Sequence, residues 1–147
     1  MMKIEVKPFN EFTTQELYAV LQLRAEVFVV EQDCVYQDID GKDNNALHVI
    51  GTKDGQVVAY TRIFKAGDYF NQASIGRVVV KKEERQYGYG QEIVKASIKA
   101  IKTEFNENNI HLSAQVYLKR FYADLGFIEE GEEYLEDGIP HIGMVKK

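Results

Sequence analysis

The hydrophobic and polar positions change period several times along the chain, and each change predicts an element. Lys3 to Phe9 ("KIEVKPF") alternates charged and apolar residues, the period of a half-buried strand. "TTQE" then offers Thr13 as an N-cap with Glu16 three residues on, a capping box. Leu17, Val20, Leu21, Ala25 and Phe28 recur at spacings of three and four, which predicts an amphipathic helix over residues 14–30. "DCVYQDIDGKDNN" is polar and turn-rich, and reads as a loop. "ALHVIGTKDGQVVAYTRIFK" places two β-branched runs around Asp54-Gly55, a hairpin signal. "ASIGRVVV" predicts a further strand from Ala73 to Val80.

After a short loop, Ile93, Val94, Ser97, Ile98, Ile101 and Phe105 mark a helix running to about Glu107. "IHLSA" reads as a short strand and "YLKRFYADLG" as a short helix closed by Gly126 at C′. "FIEEGEEYL" and "HIGMVKK" are two strands around the turn "EDGIP". The order β-α-β-β-β-α-β-α-β-β is neither a doubly wound alternation nor a segregated run of strands and helices. It predicts an α+β domain on a mixed sheet, antiparallel strands first, then a parallel pair joined through the central helix.

Composition narrows the class. A chain of 147 residues without repeats or low-complexity segments suits a single domain, 1–147, and 45% hydrophobic residues can close a core without staples. The lone Cys34 cannot form an intrachain disulfide, which points to a reducing compartment. The N-terminus "MMKIEVKPFNEF" lacks the apolar core of a signal peptide, and no run approaches a membrane span. A soluble, cytoplasmic protein without a membrane partner is expected. A net charge of −5 with scattered Lys and Arg argues against nucleic acid as the partner. Three histidines and one cysteine show no metal-ligand spacing, so no metal is expected.

The most informative stretch is "KKEERQYGYGQEIVKASIKAI", which puts an arginine and two glycines between a valine strand and a helix. Gly88 and Gly90 supply half of a dinucleotide G-x-G-x-x-G, but the third position holds Ile93, and the strand before it is not the first. A P-loop would need Gly-Lys-Ser/Thr where Gly90-Gln91-Glu92 stands. A tight strand-to-helix turn remains as a purely structural reading. Arg85-x-x-Gly88-x-Gly90 directly after Val78-Val79-Val80, however, resembles the Arg/Gln-x-x-Gly-x-Gly/Ala pattern of the GNAT acetyltransferases. A glycine-rich turn and the positive end of the helix after it suit a pyrophosphate. "LRAEVFVVEQ", "IGRVVV", "FYADLGF" and "EDGIPHIGM" extend the resemblance over most of the chain, toward the ElaA-like branch of that superfamily.

The resemblance implies a central mixed, mostly antiparallel twisted sheet with splayed strands 4 and 5 and flanking helices. It implies acetyl-CoA as cosubstrate, its pantetheine lying in the splay along Val78, Val79 and Val80, with the Val79 amide as donor to the thioester oxygen. Its phosphates would rest on amides of Arg85, Gln86, Tyr87, Gly88, Tyr89 and Gly90. Gln115 stands where the superfamily often has an asparagine that contacts the cofactor, and Leu118 where a small residue is common. Tyr122, in "FYADLGF", matches a tyrosine near the thioester sulfur. A thiol near pKa 8.5 and a tyrosine near 10 make full proton transfer uphill by about 2 kcal/mol. A hydrogen bond that strengthens as charge develops on sulfur is therefore the expected role.

The general base is harder to place. Glu26, Glu31, Asp38, Asp40, His48 and His141 are candidates. Glu31 is preferred because an acid after four apolar residues suggests a partly buried carboxylate of raised pKa; the competing reading is an ion pair with Arg24 or Arg77. His48 and His141 fall in strands, where lone histidines are more often structural. Cys34, beside Asp33, reads as a bystander, so direct attack by the amine is preferred to an acyl-cysteine. The acceptor is then a primary amine of a small molecule or protein. Carboxylates at Asp33, Asp38, Asp40, Asp43, Glu136 and Asp137 hint that it is cationic. A non-catalytic acyl-CoA-binding module and an acyl-homoserine-lactone-synthase-like enzyme are the alternatives. A free β-edge near the C-terminus offers a route to a homodimer.

Overall fold

The computed structural model describes residues 1–147. One sheet carries seven strands in the order β1-β2-β3-β4-β5-β7-β6. They are β1 (Lys3–Pro8), β2 (Leu47–Lys53), β3 (Gln56–Phe64), β4 (Ala73–Val80), β5 (Ile110–Gln115), β6 (Ile128–Glu136) and β7 (Ile139–Lys146). Only β4 and β5 run parallel, joined by helix α2 (Tyr89–Phe105) as a parallel pair requires. Helix α1 (Thr14–Arg24) precedes β2, and the short α3 (Lys119–Ala123) follows β5. No helix is long and apolar enough to cross a membrane.

Local chemistry sets the elements the sequence announces. The Glu16 amide donates to Thr13 Oγ1, and the Thr13 amide donates to the Glu16 carboxylate, both at 3.0 Å. Asp54 and Gly55 take φ of 52° and 79°, and Asp137 and Gly138 take 52° and 77°. Two consecutive left-handed residues make the type I′ turn whose twist matches a hairpin. Asn106, left-handed at φ 55°, stops α2 just short of Glu107. The β6 edge is exposed throughout and carries Glu129, Glu130, Glu132, Glu133 and Glu136.

Three departures matter for the site. Helix α1 ends at Arg24, and the chain widens into a π-helical turn over Ala25–Glu31 instead of continuing as one α-helix to Val30. The buried positions are Val20, Leu23, Arg24 and Val27, while Ala25 faces solvent. The stretch after β4 is a 3-10 turn over Lys82–Tyr87 rather than an open loop. The third departure is a bulge in β4. Tyr60 faces Val79 and Arg62 faces Gly76, so Thr61 alone stands opposite Arg77 and Val78.

Arg77 at the bulge is left-handed, with φ 52°. The extra residue inverts the parity of the strand. Ala73 and Ile75 pack in the large apolar cluster with Ile93 and Ile101 of α2, whereas Val79 packs with Val20 and Leu23 of α1. Side chains of one strand thus serve both cores, with Val79 buried on one face and Val78 and Val80 partly buried on the other.

A charge cluster holds this geometry. Arg24 donates to Asp38 Oδ2 at 3.0 Å and to Asp43 Oδ1 at 2.8 Å, and Arg62 donates to both oxygens of Asp40 at 2.9 and 2.6 Å and to Asp43 at 3.0 Å. The Arg77 guanidinium lies 2.8 Å from the Asp38 carboxylate and donates to the Asp38 carbonyl at 3.0 Å. Three arginines from α1, β3 and β4 thereby fix three aspartates of the loop between the π turn and β2. Those carboxylates are committed to arginines, and they are not free to attract a substrate as the sequence suggested.

Burial pushes the Asp40 and Asp43 carboxyls up, but hydrogen bonds and charge from Arg62 at Asp40, and from Arg24 and Arg62 at Asp43, hold both below the ordinary value of 3.8. Below pH 3.8 the unfolded chain binds more protons than the native one, so this stabilisation is complete above that pH and is lost as pH falls through the native values. Thermal melts should show the midpoint dropping steeply below about pH 4. Asp43→Asn should lose about 3–5 kcal/mol in denaturant titration at pH 7, since it leaves two buried guanidiniums short of charge. A loss under about 1 kcal/mol would show that the cluster does not carry the loop.

Candidate active site

Strands β4 and β5 pair only at Ala73–Ile110 and Ser74–His111. Beyond that point β4 stays with β3 as far as Val80, and β5 stays with β7 as far as Gln115. The sheet splays, and one edge of β4 is left with free backbone groups. The splay opens into a cleft of about 610 Å³, lined along one wall by Val78, Val79 and Val80 and on the other by Gln115, Leu118 and Tyr122.

One end of the cleft is the start of α2. Gly88 sits at its N-cap with φ 76°, a conformation glycine adopts without strain, and no side chain caps the helix. The first amide to bond back is that of Glu92, which donates to the Gly88 carbonyl at 3.2 Å. The amides of Tyr89, Gly90 and Gln91 therefore have no intrahelical acceptor. A Cβ at Gly90 would stand 3.4 Å from the Phe121 ring and narrow the cleft. Gln91 lines the cleft and was not singled out from the sequence. Gln86 and Tyr87 are exposed and lie outside it; the Tyr87 ring sits 4.2 Å from Lys53 Nζ. The Tyr89 side chain is buried in the main core, so only its backbone is available to a ligand.

Arg85 and Glu31 both line the cleft, and they are partners. Arg85 donates to the two Glu31 oxygens at 2.5 and 2.8 Å and to the Val80 carbonyl at 3.0 Å. These hydrogen bonds, opposed by burial and assisted by the charges of Arg85 and Lys82, hold the Glu31 carboxyl below its usual value. The expected raised pKa is thus inverted, and the ion-pair partner is Arg85, not Arg24 or Arg77. A carboxylate so engaged is a weak base, and its geometry is that of a brace across the loop.

Tyr122 is 5% exposed and stands edge-to-face against Phe121 and Phe127. Burial, with Tyr117 adding to it, pushes its phenol well above the usual range, so the hydroxyl keeps its proton at neutral pH. Tyr122 also faces a second, smaller cavity of about 110 Å³. The two cavities meet at Phe28, Gln32, Val78, Gln115, Leu118 and Tyr122. Gln115 Nε2 donates to Gln32 Oε1 at 3.5 Å across this junction. Phe28, read from the sequence only as a helix position, and Gln32 were not read as site residues, because the widened turn that carries Phe28 and ends at Gln32 is invisible in the pattern.

The smaller cavity collects polar groups from β5 to β7. His141 Nδ1 lies 2.7 Å from the Ile139 carbonyl, and Nε2 lies 3.6 Å from Glu136. Ser113 bonds to Tyr134 and donates to Glu136 at 3.3 Å. Cys34 lines the same cavity with Sγ 3.4 Å from the Asp137 carbonyl. Among the other base candidates, Asp38 and Asp40 are held by arginines, and both His48 nitrogens are engaged, by Tyr60 at 2.6 Å and the Asp43 carbonyl at 2.9 Å. Glu26 faces a separate groove beside Lys81. His141, ranked low from the sequence, is the candidate that lines the smaller cavity. No group of three or more His, Cys, Asp or Glu is arranged to hold a metal ion.

A sheet parted between β4 and β5, with a helix N-terminus at one end of the gap, defines the class. The chain belongs to the acetyltransferase (GNAT) domain family, whose model matches residues 9–147. Within it the chain is similar to Protein ElaA of Escherichia coli (strain K12), at 43% identity over 140 residues that cover 94% of this chain and 92% of that one. The crystal structure of Escherichia coli ElaA superposes with a TM-score of 0.92 at 40% identity, and that of an acyl-CoA N-acyltransferase from Pseudomonas aeruginosa with 0.93 at 40%, each covering 100% of both chains. The acyl-homoserine-lactone synthase LasI, at 15% identity and TM-score 0.79 over 99% of this chain and 89% of that one, shares the fold alone.

Proposed function

We propose that this protein is an acetyl-CoA-dependent N-acetyltransferase that moves an acetyl group to a primary amine of a small molecule or protein by direct attack. The observation that carries this reading is the junction of the two cavities at Tyr122, which gives a long ligand and a short one a shared point of contact. The lone thiol, Cys34, fits a cytoplasmic setting.

The residues present suit a CoA thioester. The free edge of β4 at Val78–Val80 can take pantetheine amides as an added strand takes backbone. The unpartnered amides of Tyr89, Gly90 and Gln91, at the positive end of a 17-residue helix, suit a pyrophosphate. Gly88 and Gly90 keep side chains out of its way. Arg85, already paired with Glu31, braces the loop beside it, and Gln115 offers an amide between the two compartments. The bound thioester supplies an activated carbonyl carbon and a thiolate leaving group.

In the transfer the amine nitrogen bonds to that carbon, the C–S bond breaks, and the sulfur leaves with the electron pair. Tyr122, proton retained, donates a hydrogen bond to the sulfur as its charge grows, in a site where burial makes that bond strong.

Tyr122→Phe should lower turnover about 10²-fold or more with the acetyl-CoA KM little changed. Turnover near wild type would remove Tyr122 from the mechanism. A thiol-release assay with acetyl-CoA and a panel of primary amines tests the activity itself. Amine-dependent release is expected; CoA binding without release across the panel would instead mark a non-catalytic acyl-CoA-binding module.

A further inference from the structure

We infer that the smaller cavity is the acceptor site for an unbranched primary amine, drawn in as its cation by Glu136 and Asp137 and relieved of a proton by His141. The inference rests on the acyl-transfer reading above for its reaction, but the site itself is argued from geometry.

In β7, His141 pairs with Gln115 of β5 and Tyr134 of β6. Paired residues of neighbouring strands share a face, so the imidazole stands beside the Gln115 side chain at the junction with the large cleft. The ring is 6% exposed and stacked on Tyr134, with centroids 6.1 Å apart. Its Nδ1 is 2.7 Å from the Ile139 carbonyl oxygen, which can only accept. Nδ1 therefore carries the proton, and in the neutral ring Nε2 presents a lone pair. The Glu136 carboxylate lies 3.6 Å from Nε2 and accepts a hydrogen bond from Ser113.

The sign of the cavity follows from what is already paired. Arg77 reaches it, but its guanidinium lies 2.8 Å from Asp38 and 3.4 Å from Asp40. Glu136 and Asp137 are the lining carboxylates left to attract a cation. At about 110 Å³ the space admits a slender aliphatic stem and little more.

An alkylammonium, of pKa near 10.4, keeps its proton at neutral pH and so has no lone pair with which to attack. One proton of the ammonium therefore leaves to solvent before attack. As the N–C bond forms, the nitrogen becomes cationic and acidic, and Nε2 of His141 takes the second proton. The sulfur departs as a thiolate and is protonated, so one thiol and one net proton are released for each amide formed.

The test uses n-pentylamine as acceptor and acetyl-CoA as donor. Asn at 141 can keep the bond to the Ile139 carbonyl through its amide while lacking Nε2, so His141→Asn should lower thiol release about 10²-fold or more. Its CoA-induced rise in melting temperature should match wild type. Release within threefold of wild type would overturn the proposal while leaving the acyl-transfer reading intact. On the wild-type protein, long-range ¹H–¹⁵N NMR of the imidazole should show Nδ1 protonated, with the His141 Nε2 resonance moving as n-pentylamine is added to the CoA complex. An Nε2 resonance that stays fixed overturns the amine site. If the wild type releases no thiol with n-pentylamine or any other amine of the panel yet that resonance moves, the acyl-transfer reading fails and the amine site stands.

Discussion

A single left-handed residue, Arg77, sets the geometry on which the site depends. A non-glycine residue at φ 52° is strained, by roughly 1–3 kcal/mol, and here the strain is offset by the ion pairs its side chain makes with Asp38 and Asp40. The bulge it forms turns Val79 toward α1 while Ile75 faces α2. The bulge follows three residues after Ser74, where the two-residue pairing with β5 ends. Arg24, which shares Asp38 with Arg77, closes α1 at the point where the π turn begins. One buried charge cluster thus ties together the β4 wall and the helical wall that supplies Phe28 and Gln32.

Buried ion clusters are costly, and a well-packed apolar core is often at least as stable. What the cluster provides here is direction. Three guanidiniums with fixed fork geometry can hold a turn-rich loop and a strained strand in one arrangement, where apolar packing would tolerate several. The same logic applies on a smaller scale to Arg85, whose fork onto Glu31 and hold on the Val80 carbonyl fasten the start of the glycine turn to the end of β4.

Elements decided by neighbours in sequence were legible in the residues alone. The Thr13–Glu16 box, the Asp54-Gly55 turn and the limits of β4 each rest on a few adjacent side chains. The parallel β4–β5 pair and its splay followed from element order and family resemblance. What stayed hidden was set at long range. Nothing near Ala25 announces a π turn, and a loop of aspartates reads as solvated until arginines 14 to 39 residues away are placed on it. Glu31 was misjudged for the same reason, because its partner lies 54 residues on. His141 lines the small cavity because β7 is inserted between β5 and β6, an arrangement that the residues around it do not announce.

The resulting site divides labour by position. In the proposed complex the long ligand lies on backbone groups, which leaves the side chains of Val79 and Tyr89 to fill cores. Tyr122 keeps its proton because it is buried, and it stands where the two cavities join. The central claim is that the parted edge of β4 and the uncapped start of α2 bind one CoA thioester. Backbone hydrogen exchange with and without CoA tests it most directly. Slowed exchange concentrated within Val78–Val80 and at Tyr89–Gln91 is the predicted result. Protection elsewhere, or none at CoA concentrations that saturate binding, would contradict it.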